Sequence, residues 1–138
     1  MRIEVENQPA AELIDELVAG VRAHNFESLG DERSRPLATI ARDAAGLLIG
    51  GVSGRTIYRQ FLIDVVWVAK PVRGTGLGRQ LMALAEAEAV RRGCVAAQVD
   101  TLAFQGPVFY EKLGFTQVGR VSGIPESPDR FFLLKRYA

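Results

Sequence analysis

The chain has 138 residues, 48% of them apolar and 24% charged, which is enough for one hydrophobic core and too few for two ordinary domains. Seventeen basic and sixteen acidic side chains leave a net charge of +1, so composition makes no case for a nucleic-acid partner. A mean hydropathy of +0.08 excludes a wholly disordered chain, and no apolar run reaches the roughly 18 residues of a membrane span.

One cysteine, Cys94, excludes an intrachain disulfide, and with the lone histidine, His24, it leaves no zinc-type ligand cluster. Residues 1–6 lack the basic start and apolar stretch of a secretory signal, so the expected location is the cytoplasm. Charge is unevenly spread. Residues 1–69 hold seven Lys or Arg and ten Asp or Glu, a balance of −3, whereas residues 70–138 hold ten and six, a balance of +4. A polyanionic ligand is therefore expected on the second half.

In chain order, residues 3–6 read as a short strand, and Asn7 with Pro9 as the start of a helix. Leu13, Leu17, Val18 and Val21 recur at helical spacing, which predicts an amphipathic helix from Ala10 to about Ala23. Residues 24–36 read as an irregular connection containing the acidic pair Asp31 and Glu32. Residues 37–42 and 47–55 flank the turn sequence Asp43-Ala44-Ala45-Gly46 and predict a hairpin.

Residues 61–69 are nearly continuously apolar, as in a strand buried on both faces, and Pro71 ends them. A helix begins at Leu77, with Leu81, Leu84, Ala85 and Ala89 on one face, an i,i+4 pair of Glu88 and Arg92, and Gly93 as its stop. Residues 95–99 form another buried strand, with Cys94 beside it as an ordinary buried thiol. A short helix over 107–113 ends at Gly114, and strands follow at 115–121 and 131–136. The order is mixed α/β, a single domain over residues 1–138 with helices covering a central sheet.

Between the buried strand and its helix lies Arg73-Gly74-Thr75-Gly76-Leu77-Gly78-Arg79. Glycines there let backbone N–H groups converge in front of a helix N-terminus, which suits a phosphate or pyrophosphate. The same glycines also serve a plain tight turn. A nucleotide-type loop would need Lys followed by Ser or Thr, which is absent. A dinucleotide fingerprint starting at Gly74 would need glycine at position 79, where the chain has Arg79, although Asp100 stands about 20 residues on as a ribose-binding acid would.

Arg73, Gly76 and Gly78 satisfy R-x-x-G-x-G, and Phe109-Tyr110-Glu111-Lys112-Leu113-Gly114-Phe115 follows about thirty residues later. On these two signatures the sequence resembles the GCN5-related N-acetyltransferases, over residue 63 to about residue 121. The resemblance implies a mixed, largely antiparallel twisted sheet that is flanked by helices and splayed between its two central strands. It implies acetyl-CoA as cosubstrate, held at the pyrophosphate by Arg73, Gly74, Thr75, Gly76, Leu77, Gly78 and Arg79. The pantetheine arm would lie along main-chain groups of Val66, Trp67 and Val68.

The same resemblance makes Tyr110 the general acid that protonates the leaving thiolate, a role an ordinary phenol with a pKa near ~10 fills at neutral pH. Asp64, an acid inside an apolar strand, is the candidate general base, with burial expected to raise its pKa; a structural partner for an arginine is the alternative. His24 is a second candidate base, and Asp31 and Glu32 candidate contacts for a cationic acceptor. Ala103 stands where similar enzymes carry Asn, so Gln105 is the substitute contact to the cofactor.

The implied reaction is direct transfer of acetyl to a primary amine of a small molecule or peptide, without metal. The alternatives are a non-catalytic acyl-CoA-binding regulatory module and a dinucleotide-binding enzyme. A homodimer through residues 131–136 is expected from the same resemblance.

Overall fold

The computed structural model describes residues 1–104 and 106–137, and the chain divides into two units, Met1–Arg33 and Ser34–Ala138. The first unit is built on one helix, α1 (Ala11–Leu29). It runs six residues past the end that the apolar period predicts, because His24 to Leu29 contains neither glycine nor proline. Gly30 stops it with a positive φ of 71°, its N–H donating to the Phe26 carbonyl at 2.8 Å. The predicted strand over 3–6 is absent, since residues 1–10 carry no helix or strand, and the N-cap is Ala10 rather than Asn7. Asp31 closes the unit with ion pairs to Arg22 at 3.8 Å and Arg33 at 3.6 Å.

The second unit holds a six-stranded sheet made of β1 (Arg35–Arg42), β2 (Leu48–Ile57), β3 (Gln60–Val68), β4 (Ala96–Leu102), β5 (Thr116–Val121) and β6 (Arg130–Arg136). The spatial order is β1-β2-β3-β4-β6-β5, antiparallel throughout except for the parallel β3/β4 pair at its centre. A mixed, largely antiparallel sheet is thus present as expected. The parallel pair needs a crossover, which α2 (Leu77–Arg91) provides after a single 3₁₀ turn at Lys70–Val72. A short helix, α3 (Pro107–Lys112), links β4 to β5.

The β1/β2 turn is held by the Asp43 carboxylate, which accepts from the N–H groups of Ala45 and Leu47, each at 2.9 Å. The β2/β3 turn uses Tyr58 and Arg59 at φ 53° and 62°, a two-residue hairpin without the usual glycine or asparagine. That composition hid the turn from the sequence pattern.

The core lies where α2 crosses the sheet. Leu81, Met82, Ala85 and Ala89 pack with Leu37, Val52, Phe61, Ile63, Ala97, Val99 and Leu133. Burial of Phe61, Met82, Leu133 and Val52 contributes about 1.5–3 kcal/mol each. Leu84, expected on the buried face, is exposed, and Met82 takes its place. On the solvent side Glu88 pairs with both Arg91 at 2.5 Å and Arg92 at 2.9 Å, and these two guanidinium groups pull its carboxyl down to about 2. Cys94 is buried, and burial pushes its thiol up, consistent with an inert residue.

Strand β6 is flanked by β4 and β5, so both of its backbone edges are already used. Edge-to-edge dimerisation through residues 131–136 is therefore unavailable; the sheet edges are β1 and β5.

Candidate active site

The centre of the sheet is open. Strands β3 and β4 pair only at Gln60/Ala96, Phe61/Ala97 and Leu62/Gln98, after which β3 runs on to Val68 and β4 to Leu102 with no ladder between them. The main-chain groups of the diverging stretch are thereby released for a ligand.

A β-bulge starts the divergence. Ser53 faces Val65 and Gly54 faces Ile63, so Asp64 is the extra residue with no partner on β2. Gly54 permits this arrangement. A Cβ there would lie 2.2 Å from the Leu62 carbonyl oxygen and 3.0 Å from Ile63 Cα, which no side chain tolerates. Asp64 is exposed, so the burial expected of it is absent. The bulge turns the carboxylate out of the strand's apolar run and into the cleft.

The resulting cleft has a volume of about 770 Å³ and is lined by Asp64, Val65, Val66, Trp67, Val68, Arg73, Val99, Asp100, Thr101, Phe104, Phe109 and Tyr110. Six of the predicted site residues meet there: Asp64, Val66, Trp67, Val68, Arg73 and Tyr110. Trp67 is 43% exposed, so it borders the cleft rather than filling the core.

At one end, Arg73 lines the cleft and donates from Nε to the Val68 carbonyl at 2.9 Å. Gly74 and Gly76 take φ values of 78° and 89°, and Thr75 Oγ1 donates to the Val72 carbonyl at 2.6 Å, so the turn is locked before Leu77 begins α2. Gly78 has a second reason to be glycine: a Cβ would stand 3.2 Å from the Phe109 ring. Arg79 lines a different cavity, about 480 Å³, with Glu86, Lys135 and Tyr137. There Lys135 pairs with the buried Glu86 at 2.8 Å, and burial together with the Glu86 charge pushes the Tyr137 phenol up.

At the other end, α3 carries Tyr110, which is 7% exposed. Its ring meets Phe109 and Phe115 edge-on at centroid distances of 5.1 and 5.7 Å. Burial first, and the charge of Asp100 second, push the phenol up to about 12. Tyr110 is therefore a fixed, protonated hydroxyl at the cleft wall. Asp100, Thr101 and Phe104 line the cleft without having been expected there. Asp100 was visible in the sequence only as an acid about 20 residues past a Gly-rich turn, and its nearness to Tyr110 is a tertiary fact. Gln105 lies outside the described residues. His24, Asp31 and Glu32 belong to the first unit.

Among the described residues no group of three or more His, Cys, Asp or Glu is placed to hold a metal, and no helix is long and apolar enough to cross a membrane.

A family profile described as "Acetyltransferase (GNAT) domain" matches residues 36–117. The chain is 37% identical over 106 residues to blasticidin-S acetyltransferase of Streptomyces morookaense, covering 74% of this chain and 78% of that protein. Among solved structures, an acetyltransferase crystal structure from Agrobacterium tumefaciens superposes with a TM-score of 0.88 at 28% identity, covering 99% of this chain and 100% of that one. The fold is also shared with a Bacillus anthracis streptothricin acetyltransferase, solved in complex with acetyl coenzyme A. That match has a TM-score of 0.66 at 21% identity and covers 75% of this chain and 64% of that one.

Proposed function

The chain belongs to the GCN5-related (GNAT) acetyltransferase family, and from that premise we propose that it transfers acetyl from acetyl-CoA directly to a primary amine of a small molecule or peptide. A small-molecule acceptor is favoured by the relative that acts on blasticidin S. Residues 1–138 act in this reading as a single N-acetyltransferase domain in the cytoplasm, without metal.

The cleft supports the assignment most directly. It joins a strand with unladdered main chain, Arg73 at the entry to the Gly-rich turn and a protonated phenol. These features fit acetyl-CoA: the free backbone beyond Leu62 offers partners for amide groups, and the turn with Arg73 offers donors for phosphate oxygens. Bound there, acetyl-CoA supplies an acetyl group activated as a thioester.

Val66, Trp67 and Val68 hold the arm through their main chain and orient the carbonyl; Arg73, Gly74, Thr75, Gly76, Leu77 and Gly78 hold the pyrophosphate, with Arg79 adding charge at the first turn of α2. Asp64, turned into the cleft by the bulge, takes a proton from the attacking amine, directly or through one water. Tyr110 gives its proton to the departing sulfur as the new C–N bond replaces the C–S bond, and solvent restores the phenol. The products are the N-acetylated amine and a free thiol.

A homodimer remains part of the proposal, although the paired edges of β6 cannot supply it. A monomer by light scattering at working concentrations contradicts it.

Calorimetric titration with acetyl-CoA, with NADH and ATP as controls, followed by thiol release over an amine panel, tests the function. Saturable binding of acetyl-CoA alone with amine-dependent thiol release supports it. Binding without release identifies a non-catalytic acyl-CoA module, and binding of NADH instead identifies a dinucleotide enzyme.

A further inference from the structure

A second cavity, about 650 Å³, lies on the sheet beside the cleft and shares Asp64, Val99 and Asp100 with it, so the two communicate where β3 and β4 part. Its walls are apolar, from Leu62, Phe132 and Leu134, and its two ends carry opposite charge. Strand register fixes which end is which. Arg55 pairs with Leu62, and Arg136 pairs with Ala96, in the laddered part of the sheet. Asp64 and Asp100 stand further along β3 and β4, past the last β3/β4 pair.

Among the described residues, Arg55 and Arg136 have no ion-pair partner, whereas Asp100 is paired with Arg130. Two exposed, unneutralised guanidinium groups at the laddered end of the cavity, and the unpaired Asp64 carboxylate at the end that meets the cleft, form a bipolar site. An amine drawn to Asp64 arrives at the split, and an anionic group on the same molecule meets the arginines.

Resting on the acetyltransferase assignment, we propose that this cavity is the acceptor subsite and that it selects amphoteric acceptors, carrying a primary amine and a carboxylate. The spacing follows from the strands. At about 3.3 Å per residue, Asp64 lies roughly 7 Å along β3 from the Arg55 row and roughly 13 Å from the Arg136 row, which meets β3 at Gln60. The amine and carboxylate of the acceptor are accordingly about 7–13 Å apart. Arg55 and Arg136 are specificity-determining groups that accept no proton and touch no reacting atom.

The test uses the full chain and three ladders of matched length: ω-amino carboxylates, n-alkylamines and α,ω-diamines of about four to twelve carbons. Thiol release from acetyl-CoA is read for each, and binding of each is read separately by calorimetry without acetyl-CoA. The expected result is a kcat/KM for the best ω-amino carboxylate at least about tenfold above its matched alkylamine. In the double variant Arg55→Ala/Arg136→Ala the ratio of the two kcat/KM values falls to about one, through the KM of the amino carboxylate. The single variants serve if the double lowers Tm.

Equal or better turnover of alkylamines and diamines overturns the proposal while leaving the acetyltransferase assignment standing. Selective binding of the amino carboxylates without thiol release supports the subsite and overturns the assignment. A preference that survives loss of both arginines, or no selective binding and no selective turnover at any length, overturns the proposal.

Discussion

Substituting Gly54 tests how the bulge is made. In Gly54→Ala the new Cβ would start 2.2 Å from the Leu62 carbonyl oxygen, with Ile63 Cα and the Phe61 ring each at 3.0 Å. Ordinary contact needs more than a further ångström, and the oxygen belongs to backbone that cannot rotate away. Strands β2 and β3 must part at the bulge, an overpacking cost of about 1–3 kcal/mol. At about 4 °C per kcal/mol for a domain of this size, Tm falls by roughly 4–12 °C. Because the displaced residues carry Asp64 and the main chain of Val66, a shift near an ångström is expected to lower kcat by up to about a hundredfold. Differential scanning calorimetry and thiol release at saturating acetyl-CoA read the two effects on one preparation. A variant that melts with the wild type and turns over normally refutes the claim that Gly54 shapes the bulge.

Gly20 is the contrasting case: it lies inside α1 with nothing within 4 Å of where a Cβ would stand, so Gly20→Ala should stabilise the helix by up to about 1 kcal/mol, seen as a higher urea midpoint. Lys135→Met strands the buried Glu86 carboxylate without its 2.8 Å partner and should cost about 3 kcal/mol by urea denaturation, whereas an unchanged midpoint would mean the pair contributes nothing net. Tyr110 links stability to alkaline pH. Its phenol is raised to about 12 in the folded state against an ordinary ~10, so the folded chain holds that proton more tightly than the unfolded chain. The contribution, about 3 kcal/mol for two units, is fully present below about pH 10 and is lost as pH rises through about 12. Urea melts at two pH values on either side of 10 should show a smaller alkaline loss for Tyr110→Phe than for wild type.

Much of the second unit was legible because its signals are local. The apolar run from Phe61, the glycines at 74, 76 and 78, and the proline and glycine that bracket α3 each mark an element by short-range chemistry. What escaped notice depends on partners. Asp64 inside an apolar run reads as a buried acid, since periodicity states which face a residue takes only if the register holds, and the bulge breaks it. The place of β6 in the sheet depends on partners too: it comes last in the chain yet inserts between β4 and β5. Residues 24–29 read as a connection for want of apolar period, although helix propensity and the absence of a breaker carry α1 on to Gly30. The tyrosine role could be anticipated from the signature around Tyr110, while its charged neighbour Asp100 could not, being ten residues away along the chain and opposite it in the fold.

The most direct measurement compares wild type with Tyr110→Phe at saturating acetyl-CoA and an accepted amine, following thiol release together with calorimetric binding of acetyl-CoA. Phenylalanine keeps the ring contacts with Phe109 and Phe115 and removes only the hydroxyl. The account predicts a fall in kcat of about 10²–10⁴-fold, the scale of general acid catalysis, with acetyl-CoA affinity unchanged. An unaltered kcat in a folded variant would contradict it.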